Sequence, residues 1–389
     1  MARLKAPDSI SMDELIITNA RIVLADSMIE GALSVRGGLI ADIGTATTLP
    51  SAVDFEGDFL LPGFVELHTD NLEKHLQPRP GVMWPSSHAA VLAHDVQIAG
   101  AGITTVFDAV SVGEYSAASA RRQVIAATME AVGNPRFREV LRADHFLHLR
   151  CELADRAMLE MFEPIADNPF VRLISLMDHT PGQRQWMDLS KWRQFNRDKK
   201  WTDQEFEELI NRRRETQAQY AQSYREYVIA AARRHGIVLA THDDTTREHV
   251  EEAVEAGIAI SEFPTTIAAA DHAHERGMRV IMGAPNVVRG GSHSGNVSAI
   301  DLARRSVLDA LSFDYVPSSL LQAVFQLHRN EGIALPNAVA MVSSAPAAMV
   351  GLNDRGVLQA GKRADLVRVR LVDDLPVVMG VWREGQRVI

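Results

Sequence analysis

The chain has 389 residues, of which 46% are apolar and 23% are charged, so it is long enough to bury a sizeable core. Its formal net charge of -10 disfavours a nucleic-acid binder, which would present a basic face, but it is compatible with a local basic pocket for a small anion. The single cysteine, Cys151, excludes a disulfide framework within the chain and suits a reducing cytoplasm, where we expect the protein to reside. No apolar stretch has the length of a signal-peptide core or a membrane span, so we expect no membrane association.

The two ends of the chain have a similar pattern of short strand-like runs and turns. Residues 15 to 57 consist of short β-rich runs around turns, and Gly37 and Gly38 stand where a hairpin would reverse. Residues 357 to 389 again alternate strand-like pieces with turns. We expect residues 1–57 and 352–389 to pair into one small β-domain; the alternative is two unrelated flaps.

Strand-like and helix-like segments alternate between these ends, which predicts βα units around a parallel sheet. The strand-like segments lie at residues 59–65, 103–108, 145–152, 171–179, 237–244, 258–263, 279–285 and 311–315. This number of strands predicts an α/β fold, a (β/α)₈ TIM-like barrel over residues 58–351.

One long insertion interrupts the barrel pattern. Residues 185–234 are strongly charged and predominantly helical in pattern. An excursion of this length predicts either a lid over the barrel or a contact between subunits. The run of three arginines at 212–214 is best interpreted as a solvated helix face, with phosphate binding as the alternative.

Ligand-type side chains follow the first predicted barrel strand, in FLLPGFVELHTD. His68 and Asp70 are two residues apart, and on an extended strand residues i and i+2 point to the same side. An imidazole and a carboxylate could therefore converge on one cation, although the same pattern also fits a buried strand that ends in a polar loop.

Similar residues end several other predicted strands: Glu152, His179, His242 and Asp314. Barrel active sites are built where strands end, from several strands at once. Imidazole and carboxylate ligands suit zinc, manganese or iron, and a bridging carboxylate would permit one or two ions. We expect zinc as the metal and Asp314 as the carboxylate that accepts the proton of an attacking water.

The segment PGFVELHTD, the β-rich chain ends and the aspartate of the last strand resemble the amidohydrolase superfamily. That family has a pair of histidines, H-x-H, at the first barrel strand, and Asp70 takes the second position here. The resemblance implies that Glu152 is a bridging carboxylate and that His179 and His242 are the later metal ligands. These histidines fall on the fourth and fifth predicted strands, whereas the family usually has them on the fifth and sixth.

A narrower resemblance runs from about residue 13 to the C-terminus. Blocks such as HTDNLEKH, HLRCEL and APNVVRGGSHSGN resemble the diphosphatase family of the bacterial carbon–phosphorus lyase pathway. It implies metal-dependent hydrolysis of a small phosphorylated ribose phosphonate, α-D-ribose 1-methylphosphonate 5-triphosphate. The expected products are α-D-ribose 1-methylphosphonate 5-phosphate and pyrophosphate.

A triphosphate requires cationic and N–H donors near the metal. Lys74 and Arg79 follow the first strand, and a loop with several glycines follows the seventh, where barrels often bind phosphate. The predicted phosphate-binding residues are Lys74, Arg79, Arg289, Ser292, His293 and Ser294.

Two other functions fit parts of this pattern. A hydrolase of C–N bonds in the same superfamily, such as a deacylase or cyclic amidase, would share the metal ligands but would have no need of the clustered cations. A metal-free barrel could serve as a scaffold in a larger assembly, with the helical insertion as its contact surface. In each case we expect a homo-oligomer, a dimer by the superfamily resemblance.

Overall fold

The computed structural model describes residues 14–45, 51–114, 120–292 and 295–389 of the chain. The N-terminal part contains the strands β1 (Glu14–Val23), β2 (Met28–Arg36), β3 (Leu39–Gly44), β4 (Val53–Asp54) and β5 (Phe59–Pro62). Strands β1, β2 and β3 pair antiparallel, and β5 pairs parallel with β1. Gly37 and Gly38 form the turn between β2 and β3 with φ of 58° and 78°, the backbone conformation of a tight hairpin turn that glycine adopts without strain.

Eight parallel strands then form a second sheet in the order of the chain, as the sequence predicts. They are β6 (Phe64–Thr69), β7 (Ile103–Val112), β8 (Asp144–Glu152), β9 (Val171–Met177), β10 (Val238–His242), β11 (Ile260–Glu262), β12 (Arg279–Gly283) and β13 (Ala310–Ser312). The predicted (β/α)₈ barrel is therefore confirmed, and so is the count that places His179 after the fourth strand and His242 on the fifth.

The C-terminal strands β14 (Leu366–Val372), β15 (Leu375–Arg383) and β16 (Gln386–Arg387) complete the first sheet, because β14 pairs antiparallel with β5. The expected pairing of the two chain ends is confirmed. The predicted first barrel strand, 59–65, was wrong: it is two strands in two sheets. At Gly63, between them, an added Cβ would lie 2.3 Å from Oγ1 of Thr104, so a side chain would not fit. The domain boundaries at 57/58 and 351/352 stay predictions.

Helices cover the outside of the barrel. They are α1 (Asn71–Leu76), α2 (Ser87–Gly100), α3 (Arg121–Gly133), α4 (Pro135–Arg138), α5 (Met158–Phe162), α6 (Leu189–Phe195), α7 (Asp203–His235), α8 (Arg247–Glu255), α9 (Ile267–Glu275), α10 (Ala284–Arg289), α11 (Ala299–Arg304), α12 (Ser319–Glu331), α13 (Leu335–Ala340) and α14 (Ser344–Met349). Among the helices in the described ranges, none combines the length and the apolar character needed to cross a membrane.

Strand β8 illustrates how the barrel separates its core from its site. Leu147, Leu149 and Cys151 belong to the large apolar cluster between the strands and the surrounding helices. Because side chains alternate along a strand, the intervening Arg150 and its neighbours two residues away point to the interior of the barrel. A separate apolar cluster that includes Phe107 closes the interior below them, so the polar side chains gather at the carboxyl end.

The predicted helical character of the insertion at 185–234 is confirmed, since α6 and most of α7 occupy it. Helix α7 begins with a capping box, in which Thr202 and Glu205 each bond the other's backbone N–H. A small apolar cluster of its own includes Trp192 and Phe206. Arg212 and Arg214 are exposed, as expected of a solvated helix face.

Side chains close the barrel between its first and last strands. In the described residues, a single backbone bridge, between Thr69 and Asp314, joins this pair. The buried carboxylate of Glu66 accepts hydrogen bonds from the backbone N–H of Phe313 at 2.7 Å and from the hydroxyl of Ser312 at 2.6 Å. Burial raises the pKa of Glu66 to about 8 despite these bonds. Glu66 therefore makes two of the hydrogen bonds that join this seam.

A buried network of charged and polar groups ties α1 and α2 to strands β7 and β8. His145 donates from Nδ1 to Asp108 at 2.7 Å and from Nε2 to Asp95 at 3.3 Å. His94 donates from Nε2 to Asp108 at 2.8 Å and accepts at Nδ1 from Asn71 at 3.1 Å. Although His94, Asp108 and His145 are spaced like metal ligands, their facing atoms are already hydrogen-bonded to one another. We interpret the network as structural.

This network predicts a loss of stability at high pH. Burial opposes charge on His145, but Asp108 and Asp95 outweigh it and raise its pKa to about 10. Since an unfolded histidine has a pKa of about 6.5, the stability contributed by the charged ring is complete below about pH 6.5. It is lost as the pH rises toward 10. The thermal midpoint should therefore fall between pH 7 and 9.5.

The His145→Gln variant isolates this contribution. Breaking a buried ion pair costs about 3–5 kcal/mol, so the variant should unfold earlier at pH 7. Its midpoint should also depend less on pH between 7 and 9.5 than that of the wild type. Parallel pH profiles from differential scanning calorimetry would contradict the assignment of a charged His145.

Candidate metal centre

A cavity opens at the carboxyl ends of the barrel strands. Residues from the barrel strands, from the segments that follow them and from the helical insertion line it: His68, Arg150, His179, Gln185, His242, Asp243, Phe263, Pro264, Met282, Gly283, Pro285, Asn286, Arg289, Gly291, Ser292, Asn296, Asp314 and Tyr315. Because parallel strands deliver their carboxyl ends to one edge, side chains far apart in sequence meet here.

The centre of the site is His242, which belongs to two groups of ligand-type residues. One group contains His179 and Asp243, and the other contains His68 and Glu262. Oδ2 of Asp243 lies 2.9 Å from Nδ1 of His242 and 3.5 Å from Nε2 of His179. The rings of His68 and His179 lie 5.4 and 5.7 Å from that of His242, between centroids. A cation among these groups would have three imidazoles and a carboxylate within reach.

Two further carboxylates orient the outer histidines. Oε1 of Glu152 accepts from Nδ1 of His179 at 2.6 Å. Oε1 of Glu262 lies 3.3 Å from Nδ1 of His68, while Ser175 donates to its other oxygen. Metal-binding histidines typically donate their second ring nitrogen to a carboxylate, which sets the ring orientation. Glu152 therefore orients the ring of His179, and Glu262 orients the ring of His68 in the same way.

The unsatisfied atoms of the site fit a divalent cation. Nε2 of His242 and Oδ1 of Asp70 are buried and have no hydrogen-bond partner, and Nδ1 of His242 and Oδ2 of Asp243 lie 2.9 Å apart without the alignment of a hydrogen bond. Buried polar atoms are normally paired, and a metal ion is one explanation when they are not. Nitrogen and oxygen donors of this kind suit zinc, manganese or iron.

The pKa of His179 also indicates that this site favours a cation. Burial opposes its charge, but Glu152 and Asp243 outweigh burial and raise the pKa of His179 to about 10. The surrounding carboxylates thus favour positive charge at this place. A bound cation would satisfy the same carboxylates.

The backbone at the rim is strained at three places. Asp243, Phe263 and Asp314 follow strands β10, β11 and β13 with φ of 58°, 53° and 56°. This left-handed region is uncommon for residues other than glycine, and residues held there cluster at functional sites. The strain indicates that the fold orients these side chains toward the cavity at some cost in stability.

The side chain of Asp244 anchors the strained backbone at Asp243, directly after strand β10. It accepts from Arg184 Nη1 at 2.5 Å and from the hydroxyls of Thr241 and Ser261 at 2.5 and 3.0 Å. Arg184 also donates to the carbonyl of His242 at 3.2 Å. The helical insertion, which begins beside Arg184, is therefore tied to the candidate metal centre.

Asp314 lines the cavity and has the properties of a proton acceptor. Burial and the nearby charge of Asp70 raise its pKa to about 6. Its backbone is anchored on both sides, since its N–H donates to Ser312 Oγ at 3.1 Å and its carbonyl accepts from Thr69 Oγ1 at 3.2 Å.

The structure differs from the prediction at Asp70. Strand β6 ends at Thr69, and Asp70 is the N-cap of α1 with φ of -93° and ψ of 9°. The extended geometry expected for His68 and Asp70 was therefore wrong, because the helix begins directly after Asp70. Within the described residues, Asp70 joins neither ligand group at the cavity. Its role as a metal ligand stays a prediction.

The predicted phosphate-binding residues are not all in one place. Arg289 and Ser292 line the cavity. Lys74 donates instead to the carbonyl of Tyr315 at 3.3 Å, 3.9 Å from Asp70, and is exposed. Arg79 lies exposed in the loop after α1. His293 and Ser294 lie outside the described residues.

Three residues of the site were missed by the sequence reasoning. Asp243 follows His242 in the THDD segment, and Glu262 and Arg150 stand at or near strand ends. The adjacent aspartates were a usable signal, but choosing between them required the observation that Asp244 is paired with Arg184.

Comparisons with known proteins agree with this architecture. The Amidohydrolase family model matches residues 59–388. The chain is 44% identical to the α-D-ribose 1-methylphosphonate 5-triphosphate diphosphatase of Escherichia coli (strain K12) over 378 residues, 96% of this chain and all of that one.

Solved structures share the fold at low sequence identity. N-acetylglucosamine-6-phosphate deacetylase from Pasteurella multocida superposes with a TM-score of 0.63 at 14% identity, covering 96% of this chain and 99% of that one. N-isopropylammelide isopropylaminohydrolase from Burkholderia multivorans gives 0.65 at 17%, covering 97% and 98%. Taken with the family match and the full-length relative, these findings establish that the chain belongs to the amidohydrolase family.

Proposed function

We propose that the protein hydrolyses α-D-ribose 1-methylphosphonate 5-triphosphate to α-D-ribose 1-methylphosphonate 5-phosphate and pyrophosphate. The observation that carries this proposal is the shared cavity, in which a cluster of imidazoles and carboxylates and the cationic Arg289 face the same space. The E. coli relative bears the name of this activity and aligns with this chain over its whole length. The reaction would place the protein in phosphonate catabolism.

Each element of the cavity has a part in this hydrolysis. His68, His179, His242 and Asp243 would hold the metal. When bound, a divalent cation supplies Lewis acidity toward a phosphoryl oxygen and toward the attacking water. Positioning and charge neutralisation dominate phosphoryl transfer, so Arg289 and the neighbouring backbone N–H groups would bind the phosphates.

Hydrolysis would replace one bond at the α-phosphorus with another. The oxygen of water forms a bond to the α-phosphorus, and the bond from that phosphorus to its bridging oxygen breaks. Pyrophosphate leaves with the electron pair of that bond, while Asp314 accepts the proton of the water. The ribose and its phosphonate group are unchanged.

The Asp314→Asn variant should separate chemistry from metal binding. Asparagine keeps the shape of the side chain but cannot accept a proton, so turnover should fall by roughly 10²- to 10⁴-fold. Metal content, measured by inductively coupled plasma mass spectrometry, should stay near that of the wild type.

Asp301→Asn is the matched control, because Asp301 is half exposed on α11, where it pairs with Arg304. This control should retain wild-type turnover. Wild-type turnover in Asp314→Asn itself would remove Asp314 from the mechanism.

A comparison of two substrate classes tests the proposed activity. The zinc-loaded protein would be incubated with the ribose triphosphate and, separately, with an N-acetylated sugar phosphate, with assays for pyrophosphate and for free amine. We expect pyrophosphate from the first and no amine from the second. Amine release without pyrophosphate would favour a C–N hydrolase. Protein that retains no metal after reconstitution and shows neither activity would favour a scaffold.

We infer zinc as the metal, with manganese or iron as alternatives, from the mixed imidazole and carboxylate set. The number of ions, one or two, follows from whether the two groups that share His242 are both occupied. A cytoplasmic location and a homo-oligomeric state remain predictions from the sequence.

A further inference from the structure

Arg150 occupies an unusual position inside the barrel. It lies on β8 two residues before Glu152 and two after His148, and it lines the cavity together with His68 and Asp314. Since residues at i and i+2 share one side of a strand, the three side chains of β8 form a column directed into the barrel. The guanidinium therefore lies between the deep His148 and the rim.

The groups below Arg150 have other partners. His148 donates from Nδ1 to the carbonyl of Leu67 at 2.9 Å. Oε1 of the buried Glu262 lies 3.3 Å from Nδ1 of His68, and its Oε2 accepts from Ser175 and lies 3.8 Å from Nε2 of His148. Glu262 is therefore engaged with imidazoles and a hydroxyl at the floor of the cavity.

The carboxylates around Arg150 act on it at a distance. Burial would lower its pKa, but Asp70, Glu73, Glu152 and Asp314 raise it through their charges rather than through hydrogen bonds. Its Nε is buried and has no hydrogen-bond partner.

Two other buried arginines in the described residues form close ion pairs with carboxylates. Arg363 pairs with Asp365 and Asp144 at 2.9 and 2.5 Å. Arg184 pairs with Asp244. Arginine offers five donors in a planar fork that matches carboxylate and phosphate oxygens, so the unpaired Nε in the cavity calls for an external acceptor.

We propose that Arg150 binds the substrate directly, its guanidinium donating to the oxygens of the phosphoryl group that water attacks. Among the residues that line the cavity, it shares the interior of the barrel with the candidate metal ligands, whereas Arg289 stands exposed at the rim. This assigns the two arginines to different phosphates, Arg150 to the reacting group and Arg289 to the outgoing pyrophosphate. The inference rests on the proposed function for the identity of the anion.

The test measures anion binding apart from turnover. Isothermal titration calorimetry with D-ribose 5-phosphate, whose phosphate stands for the reacting group, and separately with inorganic pyrophosphate would be performed on the zinc-loaded full-length wild type and on Arg150→Gln, Arg150→Lys and Arg172→Gln. Arg172 is the matched control, an exposed arginine at the opposite end of the neighbouring strand β9. Metal content and thermal midpoint would be recorded for each protein.

We expect Arg150→Gln to weaken binding of D-ribose 5-phosphate by roughly 10- to 100-fold, the loss typical of a charged hydrogen-bond partner, with metal content unchanged and a smaller effect on pyrophosphate. Arg150→Lys should recover part of the loss because it keeps the charge without the fork. Arg172→Gln should bind as the wild type does.

Two outcomes would overturn the proposal. Wild-type binding of D-ribose 5-phosphate in Arg150→Gln would exclude contact with the reacting phosphate. Loss of metal together with binding, in both Arg150→Gln and the folded Arg150→Lys, would make Arg150 a support for the carboxylates. If the wild type bound D-ribose 5-phosphate through Arg150 but released no pyrophosphate from the ribose triphosphate, the proposed function would fail while this assignment stood.

Discussion

The His242→Asn variant is expected to lose both metal and activity. His242 is the residue shared by the two ligand groups at the cavity; its Nε2 is buried without a hydrogen-bond partner, and its Nδ1 lies 2.9 Å from Oδ2 of Asp243. Its ring lies within 5.7 Å of those of His68 and His179. Removing it therefore affects every arrangement in which one or two cations could be held.

The expected loss of turnover is large. Charge stabilisation by a bound metal contributes several kcal/mol to the transition state, and each 1.36 kcal/mol is a factor of ten in rate. Turnover should therefore fall by about 10³-fold or more, with metal content well below that of the wild type in plasma mass spectrometry. His274→Asn, at an exposed position of α9, should retain both. Full metal content in His242→Asn would place the metal elsewhere.

The Glu66→Ala variant should be strongly destabilised. Its carboxylate accepts from the backbone N–H groups of His68 and Phe313 at 2.6 and 2.7 Å and from the hydroxyl of Ser312. Alanine would leave two buried N–H groups without acceptors, at about 1–3 kcal/mol each, together with a cavity. We expect the free energy of unfolding to fall by about 3–5 kcal/mol.

Urea denaturation followed by circular dichroism measures this loss, with Glu255→Ala as control. Glu255 is exposed at the end of α8, so its replacement should change stability by no more than about 0.5 kcal/mol. Because Glu66 also holds the strand that carries Asp314, the variant should lose activity under conditions where it remains folded. Equal stability of the two variants would mean that the seam does not depend on Glu66.

The strand positions could be predicted because each strand has a local signal. An apolar, β-branched run that ends in polar residues marks both the strand and its carboxyl end. The split at Gly63 had no such signal, since the apolar run continues from β5 into β6. What separates the two strands is the close approach of Thr104 and Asp365 to Gly63, residues distant in sequence.

The residue types of the candidate site could be predicted from the sequence, but their arrangement in space could not. His68, His179 and His242 were recognised at strand ends and do meet. Glu66 was not singled out, because its partners lie nearly 250 residues away and nothing near it in the sequence indicates them. Lys74 donates to the carbonyl of Tyr315, a residue that lines the cavity, and its predicted contact with phosphate stays a prediction.

Arg150 shows the limit of local reasoning most directly. In the sequence it is one charged residue in the HLRCEL segment and could equally be a solvated edge residue. Only the closed barrel places its guanidinium beside His68 and Asp314. The charge of a residue can be read from sequence, but its burial without a partner depends on tertiary structure.

Phosphorus-31 NMR of the reaction in ¹⁸O-labelled water tests the central claim most directly. The metal-loaded protein would be mixed with α-D-ribose 1-methylphosphonate 5-triphosphate. Attack at the α-phosphorus predicts one 5-phosphomonoester carrying the ¹⁸O isotope shift, unlabelled pyrophosphate and an unchanged phosphonate signal. Labelled pyrophosphate or orthophosphate would place the attack at another phosphorus, and an unchanged spectrum from metal-loaded protein would contradict the proposed function.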